Sequence, residues 1–475
     1  MTRGKVSRIE VSMKGRSFFL VGVTAAMFAT GAIAAPGMDS LAAYNAAARR
    51  IMALALRTQG AYGMLDTLTR TAGKRLSGSP GAAAAVEETR RMMEARGFAN
   101  VHCEEVMVPR WERGSIERGT LLRGNRKIPL AVCAIGGSVA TPAGGLVAEV
   151  LEVRSFEELR SLGGAARGKI VFFNRAMDPA AFDTFEAYGG AVDQRGSGAV
   201  EAAKAGGLAA LVRSVTLAYD NVPHTGAMHY ADNVVRVPAA AIGVRDAERL
   251  SALLKSGERV KIRLELSCRT YPDVPSANVV GEIRGSELPD EVVVVGGHLD
   301  SWDKGTGAHD DGAGCVQAIE ALSLLNQLGL RPRRTVRAVM FMNEENGLRG
   351  GLAYAASPLR ANERHIAAIE SDRGGFAPRG FTVQADSAVL MRVQGWAPVF
   401  TPYRADRITA GGSGADISHL VKKGTPGFGL MVDDHRYFDY HHSGNDTIDK
   451  VHPRELETGA GLLGILCYLI AQEGL

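Results

Sequence analysis

Residues 291–300 read EVVVVGGHLD, and that stretch decides the fold. Val292, Val293, Val294 and Val295 form an unbroken β-branched run. A strand with one wet face alternates apolar and polar residues. A continuous apolar run marks a strand covered on both faces, as in the parallel sheets of α/β proteins. Gly296 and Gly297 follow it, then His298 and Asp300, which point the same way in extended chain because they are two residues apart. Ligands of such sheets bind beyond the carboxyl ends of the strands. The stretch therefore predicts both a buried sheet and the edge that carries its chemistry.

The pattern recurs downstream. Residues 335–342 make a second buried run and lead into Asn343-Glu344-Glu345-Asn346-Gly347. Residues 365–369 make a third and lead into Glu370-Ser371-Asp372. Helical spacing over 315–328 and 348–356 separates the runs. Cys315 shares a face with Ile319, Leu322 and Leu325, so it reads as a core thiol rather than a nucleophile. Repetition of strand, loop and helix from about residue 278 predicts an α/β layer fold with a mixed, largely parallel sheet. Two more polar clusters join the set, Gly307-Ala308-His309-Asp310-Asp311-Gly312 and Tyr440-His441-His442-Ser443-Gly444-Asn445-Asp446-Thr447. Eight of the 11 histidines fall between His298 and His452.

Taken singly, these clusters have bland readings. His-x-Asp is a surface loop pair, Asp-Asp-Gly a turn, and Glu-Glu-Asn-Gly a solvated helix start. Gathered at one sheet edge, the carboxylates would repel one another without a cation between them. The chemistry that uses such a set is a zinc pair about 3.5–4 Å apart, sharing a bridging carboxylate and a water. The metal draws the pKa of that water toward ~7, and a free glutamate takes its proton during attack on a carbonyl. Asp310, on a glycine-rich loop before a helix, can reach across two cations. In Glu344-Glu345 the side chains diverge, so one can bind metal while the other faces substrate.

Composition bounds the remainder. A chain of 475 residues with 46% hydrophobic side chains is too apolar for disorder and long enough for two or three domains. The formal charge is +4, and residues 1–34 hold Arg3, Lys5, Arg8, Lys14 and Arg16 against Glu10 alone. The rest is balanced, which leaves no electrostatic footprint for nucleic acid. Lys14-Gly15-Arg16, an apolar run over 18–34 and the ending Ala32-Ile33-Ala34 predict a secretory signal peptide cut before Ala35, with Met13 as an alternative start. An uncleaved anchor is the lesser reading, because the run is short and rich in Ala, Gly and Thr. No other segment is apolar enough to span a membrane. Cys103, Cys133, Cys268, Cys315 and Cys467 lie far apart with no C-x-x-C pairing, a poor framework for disulfides or for a cysteine zinc site. Residues 35–97 read helical, with a charged amphipathic helix over 87–95 after the breaker run 77–81. Between about 121 and 266, short β-like runs at 169–173, 208–212 and 237–242 alternate with helical stretches at 198–205 and 245–254. That segment has the size of one inserted domain.

The runs GGHLDSWDKGTGAHDDGAG (296–314), NEENGLRG (343–350), ESD (370–372) and HHSGNDT (441–447) resemble the co-catalytic two-zinc aminopeptidase and dipeptidase family. RLSGSPG (75–81), VPRWERG (108–114), GAVEAAKAGGLAALVRS (198–214) and VPHTGAMHYADN (222–233) are similar to its carboxypeptidase Q-like branch. The resemblance spans about residues 60–470. It implies a zinc-exopeptidase α/β/α sandwich with a protease-associated (PA) insert: leader 1–34, peptidase domain 35–122 and 263–475, insert 123–262. It makes His298 and Asp372 terminal ligands of one zinc and Glu345 and His442 terminal ligands of the other, with Asp310 bridging. Glu344 becomes the general base and Asp300 the carboxylate behind His298. His224 and His229, in the insert, read as structural or substrate-cleft residues rather than ligands, since no carboxylate cluster accompanies them. Bacterial members carry tyrosine just before the last ligand histidine. Here that position is His441, with Tyr440 one further back, so His441 becomes a candidate partner for the oxyanion. Asp416 is either a carboxylate behind the site or a plain loop residue. The implied protein is a secreted or periplasmic zinc exopeptidase, a homodimer, acting on dipeptides or short peptides with a free amino terminus. A non-catalytic receptor on the same fold, and glutaminyl cyclisation or amide hydrolysis, stand as alternatives.

Overall fold

In the computed structural model, which describes residues 38–475, the run 291–300 lies at the centre of an eight-stranded sheet. The strand Leu288–His298 pairs in parallel with Arg334–Phe341 on one side and Arg364–Glu370 on the other. Val292 to Val295 have no exposure, the two-sided burial that an unbroken apolar run predicts. The spatial order is Ala99–Glu112, Arg269–Ile283, Arg334–Phe341, Leu288–His298, Arg364–Glu370, Gly427–Val432, Pro378–Gln384 and Arg407–Ala410. The first three strands run antiparallel to one another, as do Gly427–Val432 and Pro378–Gln384; the other neighbouring pairs are parallel.

Helices cover both faces. On one, Ala313–Gln327 is buried along nearly its whole length beneath Pro453–Glu473, Met38–Thr58 and Gly60–Thr71. Each fully buried Leu or Ile there contributes about 1.5–3 kcal/mol, an upper figure because the unfolded chain is itself partly compact. On the other face, Tyr354, Ile417 and Leu420 pack on Val292, Val294 and Phe341. The result is the expected α/β/α sandwich with a mixed sheet. The helical stretch 35–97 resolves into three helices, broken at Gln59 in the left-handed region (φ 51) and again before Pro80. The third starts inside the breaker run, since the Ser79 hydroxyl accepts from the Ala82 N–H at 3.1 Å and Pro80 suits a first helical position.

A second eight-stranded sheet is built from residues 117–266 and has its own apolar cores. Its strands Ile170–Phe173, Ala209–Arg213 and Ala239–Ile242 are parallel and wholly buried. Glu117–Arg123 and Lys261–Leu266 also belong to it, reaching outside the 123–262 expected for the insert. Both alternate between buried and exposed positions, so no continuous apolar run announces them. The expected signal peptide lies outside the described residues. Among those described, no helix is long and apolar enough to cross a membrane. All five cysteines are free, and only Cys103 is exposed.

Candidate functional site

Sheet register gathers the polar clusters. His298 stands beside Phe341 and Gly296 beside Glu370, so the loops after all three parallel strands leave the same edge together. Buried carboxylates then clamp their backbones. Asp300 accepts from the N–H groups of Asn343 (2.7 Å) and Glu344 (3.0 Å), fastening the second loop to the first. Asp311 accepts from the N–H groups of His298 (3.0 Å) and Gly314 (2.9 Å), and Asp446 from those of His309 (2.7 Å) and Asp310 (3.1 Å). The packing leaves no room for a methyl group at two positions. A Cβ on Gly297 would strike the Asp311 carboxylate, and one on Gly314 the Ser371 carbonyl.

The side chains so placed converge. His298 Nε2 lies 3.2 Å from Asp310 Oδ1 and 3.6 Å from Asp372 Oδ1. His442 Nε2 lies 3.2 Å from Asp310 Oδ2 and 3.0 Å from Glu345 Oε2. Asp310 therefore sits between two histidines, each of which faces a further carboxylate of its own. Asp310 Oδ2 and Asp372 Oδ1 are buried without a hydrogen-bond partner. Ring nitrogens and carboxylate oxygens facing one another at these distances, with orphaned lone pairs, fit a divalent cation of the zinc type. They border a cavity of about 450 Å³, which Glu344, Phe185, Tyr188 and Arg195 also line.

The peptidase family M28 model matches residues 278–463. Over 436 residues the chain is 37% identical to carboxypeptidase Q of Bos taurus, covering 91% of this chain and 90% of that protein. The chain belongs to peptidase family M28. With that family it is a metallopeptidase. Carboxypeptidase Q of Homo sapiens is 38% identical over 410 residues, covering 86% of this chain and 85% of that one. The solved structure of an M28 peptidase precursor from Shewanella amazonensis matches with a TM-score of 0.87 at 34% identity, across 91% of this chain and 97% of that chain. A zinc aminopeptidase from Bacillus subtilis shares the fold, with a TM-score of 0.63 at 20% identity over 86% and 94% of the two chains.

In this M28 chain, His298, Asp310, Glu345, Asp372 and His442 come together, with Glu344 on the same cavity wall and Asp300 behind the second loop. Asp311 also groups with His298 and Asp372, although its oxygens already accept from two backbone N–H groups. His441 stacks on His442, ring centres 3.5 Å apart, with Nε2 3.7 Å from Asp310 Oδ2. Asp416 is buried against Glu370 with both oxygens unpartnered. His224 is buried and donates from Nδ1 to the His441 carbonyl at 2.7 Å, while His229 lines the cavity. His309 stacks against both Phe376 and Tyr440 and accepts from the Gly375 N–H, a core histidine. Tyr437 lines the cavity, whereas Tyr440 is absent from its lining.

Titration behaviour follows from crowding. Burial raises Glu344 well above the ordinary carboxylate range, with Asp372, Glu345 and Asp310 adding to it against His298. Burial also raises Glu345 and Asp300. Asp310 goes the other way: burial would raise it, but the rings of His298 and His442 outweigh that and hold it well below. Burial would lower His442, yet Glu345 and Asp310 lift it to about 9. Burial and the neighbouring His442 keep His441 well below the usual range, hence neutral. Without a cation, then, this edge retains protons to offset its carboxylates.

Several functional residues carried no signal in the sequence. Phe185, Tyr188 and Arg195 reach the cavity from helices Thr184–Gly189 and Asp193–Lys204, more than a hundred residues before the nearest cluster. Arg75 is wholly buried, and its guanidinium donates to the carbonyls of Leu299 (2.8 Å), Thr306 and Gly307 (2.9 Å), shaping the loop that leads to Asp310. Its motif, RLSGSPG, could be noticed only by resemblance.

Proposed function

We propose that this M28 peptidase is a zinc-dependent exopeptidase that hydrolyses dipeptides or short peptides with a free amino terminus. The reading is carried by Asp310 lying between two histidines that each face a further carboxylate. In it, His298 and Asp372 hold one zinc, Glu345 and His442 the other, and Asp310 bridges. Relatives are named both as a carboxypeptidase and as a zinc aminopeptidase. A dipeptide, whose one bond adjoins both termini, is a substrate common to both descriptions.

Zinc held there supplies Lewis acidity toward a peptide carbonyl and acidifies water. Glu344 takes a proton from the water whose oxygen bonds to the carbonyl carbon, then passes it to the nitrogen as the C–N bond breaks. Asp300 keeps the Glu344 backbone in register with His298 through its two N–H bonds. His441, neutral, offers an N–H to the developing oxyanion. The sheet of residues 117–266 serves as a PA-like insert that walls the cavity. The leader 1–34 directs the chain to the periplasm or outside the cell, and the protein acts as a homodimer.

Glu344→Gln tests the reading. Peptide hydrolysis should fall roughly 10²–10⁴-fold, while elemental analysis still finds two zinc ions per chain. Full activity in that variant, or a zinc-free wild type that hydrolyses peptides unaided, would sink it.

A further inference from the structure

The two ends of the candidate metal site are held in different ways. The His298 end is fastened by a loop of the central sheet itself, since Asp311 accepts from the His298 N–H at 3.0 Å. The other end leans on the second sheet. The His442 carbonyl accepts from the Thr225 N–H at 2.9 Å, and Arg195 Nη1 lies 3.3 Å from His442 Nδ1. Glu345 is reached less directly. Its Oε1 accepts from the Trp302 N–H at 3.1 Å, which leaves Oε2 facing His442 Nε2 at 3.0 Å. A carboxylate with one oxygen so engaged presents the other in a fixed direction.

Trp302 follows His298 and Asp300 on the first loop, yet its side chain is buried in an apolar cluster of the second sheet, together with Leu130, Ala134 and Ile262. Its ring meets Trp111 edge to face at 6.5 Å. A Cβ on Gly136 would fall 1.8 Å from the indole, so the second sheet admits that ring through a slot that holds no side chain. Trp302 Nε1 has no hydrogen-bond partner, and the ring is therefore held by shape alone. The next two residues complete the anchor. Asp303 accepts from buried Arg113 Nε at 2.9 Å, and Lys304 Nζ donates to Glu117 Oε2 at 2.9 Å. Arg113 also donates to Glu117 Oε1 at 3.0 Å, which ties both ion pairs to the strand Glu117–Arg123.

We propose that Trp302 is a positioning residue through which the second sheet sets the grip of Glu345 on its cation, so that loosening the indole weakens one zinc and spares the other. The inference rests on the two-zinc reading and adds a route by which the second sheet acts on the metal.

Trp302→Ala tests it, because alanine keeps the N–H but frees it from the slot. Wild type and variant are dialysed against a graded series of zinc buffers, and zinc per chain is read by elemental analysis. Wild type should hold two ions. In the variant one should be held roughly 10–100-fold more weakly, with the other unchanged. Trp302→Phe, which keeps an apolar ring in the slot, should recover part of the loss. The weakened ion should be the one that Glu345→Gln also loses, so the double variant should hold the remaining ion as Glu345→Gln does. Equal weakening of both ions, unchanged affinity of both, or a loss in Trp302→Phe as deep as in Trp302→Ala overturns the proposal. Where circular dichroism shows that Trp302→Ala does not fold, Gly136→Ala decides by the same readings, since its methyl group displaces the indole without altering a donor. A wild type that takes up a single zinc sinks the two-zinc reading, and Trp302 then stands or falls on whether Trp302→Ala weakens that ion about tenfold or more. No zinc in wild type overturns both.

Discussion

Glu457→Gln should make stability less sensitive to pH, and the size of the effect can be worked from its surroundings. Glu457 has no exposure. One oxygen accepts from the Tyr62 N–H at 2.8 Å, at the start of the helix Gly60–Thr71, and the other has no partner. Burial, with Glu320 adding, pushes Glu457 up to about 8 from an ordinary 4.5. The folded protein thus keeps a proton that the unfolded chain releases above about pH 4.5. Folding takes up a proton between pH 4.5 and 8, so stability declines as pH rises through that window. The rise is about 3.5 units at 1.36 kcal/mol each, and the part that titrates between pH 5 and 8.5 amounts to a loss on the order of 3–4 kcal/mol. Glutamine removes that titration but leaves an amide N–H₂ where the orphaned oxygen was, costing about 1–3 kcal/mol at every pH. The variant should therefore be the weaker protein at pH 5 and equal or better at pH 8.5. Urea unfolding of chelator-treated protein, followed by the fluorescence of buried Trp396, keeps metal release out of the comparison. A stability difference that is the same at both pH values would refute the reasoning.

Arg75→Met leaves three loop carbonyls without their donor, so urea unfolding should show a loss on the order of 3–5 kcal/mol. A chelator competition should find zinc held 10–100-fold more weakly, because the loop before Asp310 loses its template; unchanged zinc affinity would show that the loop holds its shape without it. Adding zinc to stripped protein at 100 times its dissociation constant should stabilise the fold by about 2.7 kcal/mol, read as a rise in Tm, and no rise would mean that the donors hold no cation. A thiol reagent should count one reactive cysteine in the folded protein, Cys103, and five after unfolding, since the other four are buried and none is bridged. Fewer than five would reveal a disulfide.

The sandwich was legible in the sequence because two-sided burial writes itself as unbroken runs. Val292 to Val295, residues 335–342 and residues 365–369 each became a central strand, with ends displaced by only a few residues. The strand pair Ala99–Glu112 and Arg269–Ile283 was not legible. Most positions of the first strand are exposed or half-buried, so pairing with a distant partner, rather than its own pattern, makes it a strand. The edges of the second sheet were obscured in the same way. Among the residues gathered at the cavity, the acids and histidines stood out because they cluster at the ends of buried runs. Asp311 and Asp446 stood beside them with nothing to mark them as clamps on backbone N–H groups, which is a matter of loop geometry. Arg75 and Arg195 act across 224 and 247 residues of chain, and no local spacing encodes such contacts.

Those distant contacts bear on what the second sheet is for. The carbonyls of His441 and His442 both accept from the insert, one from His224 Nδ1 at 2.7 Å and the other from the Thr225 N–H at 2.9 Å. His442 needs that help, since it sits in the left-handed region at φ 59, where a residue with a β-carbon costs on the order of 1–3 kcal/mol unless its surroundings hold it. The Thr225 hydroxyl donates in turn to the Ala134 carbonyl, which ties the loop into the sheet's own strands. The segment 117–266 therefore supplies more than a wall of aromatic side chains around the substrate. It fixes the backbone from which the last histidine reaches Asp310 and Glu345. In the proposed reading, a chain without that segment would release His442 from Asp310 and Glu345, and zinc would be held more weakly.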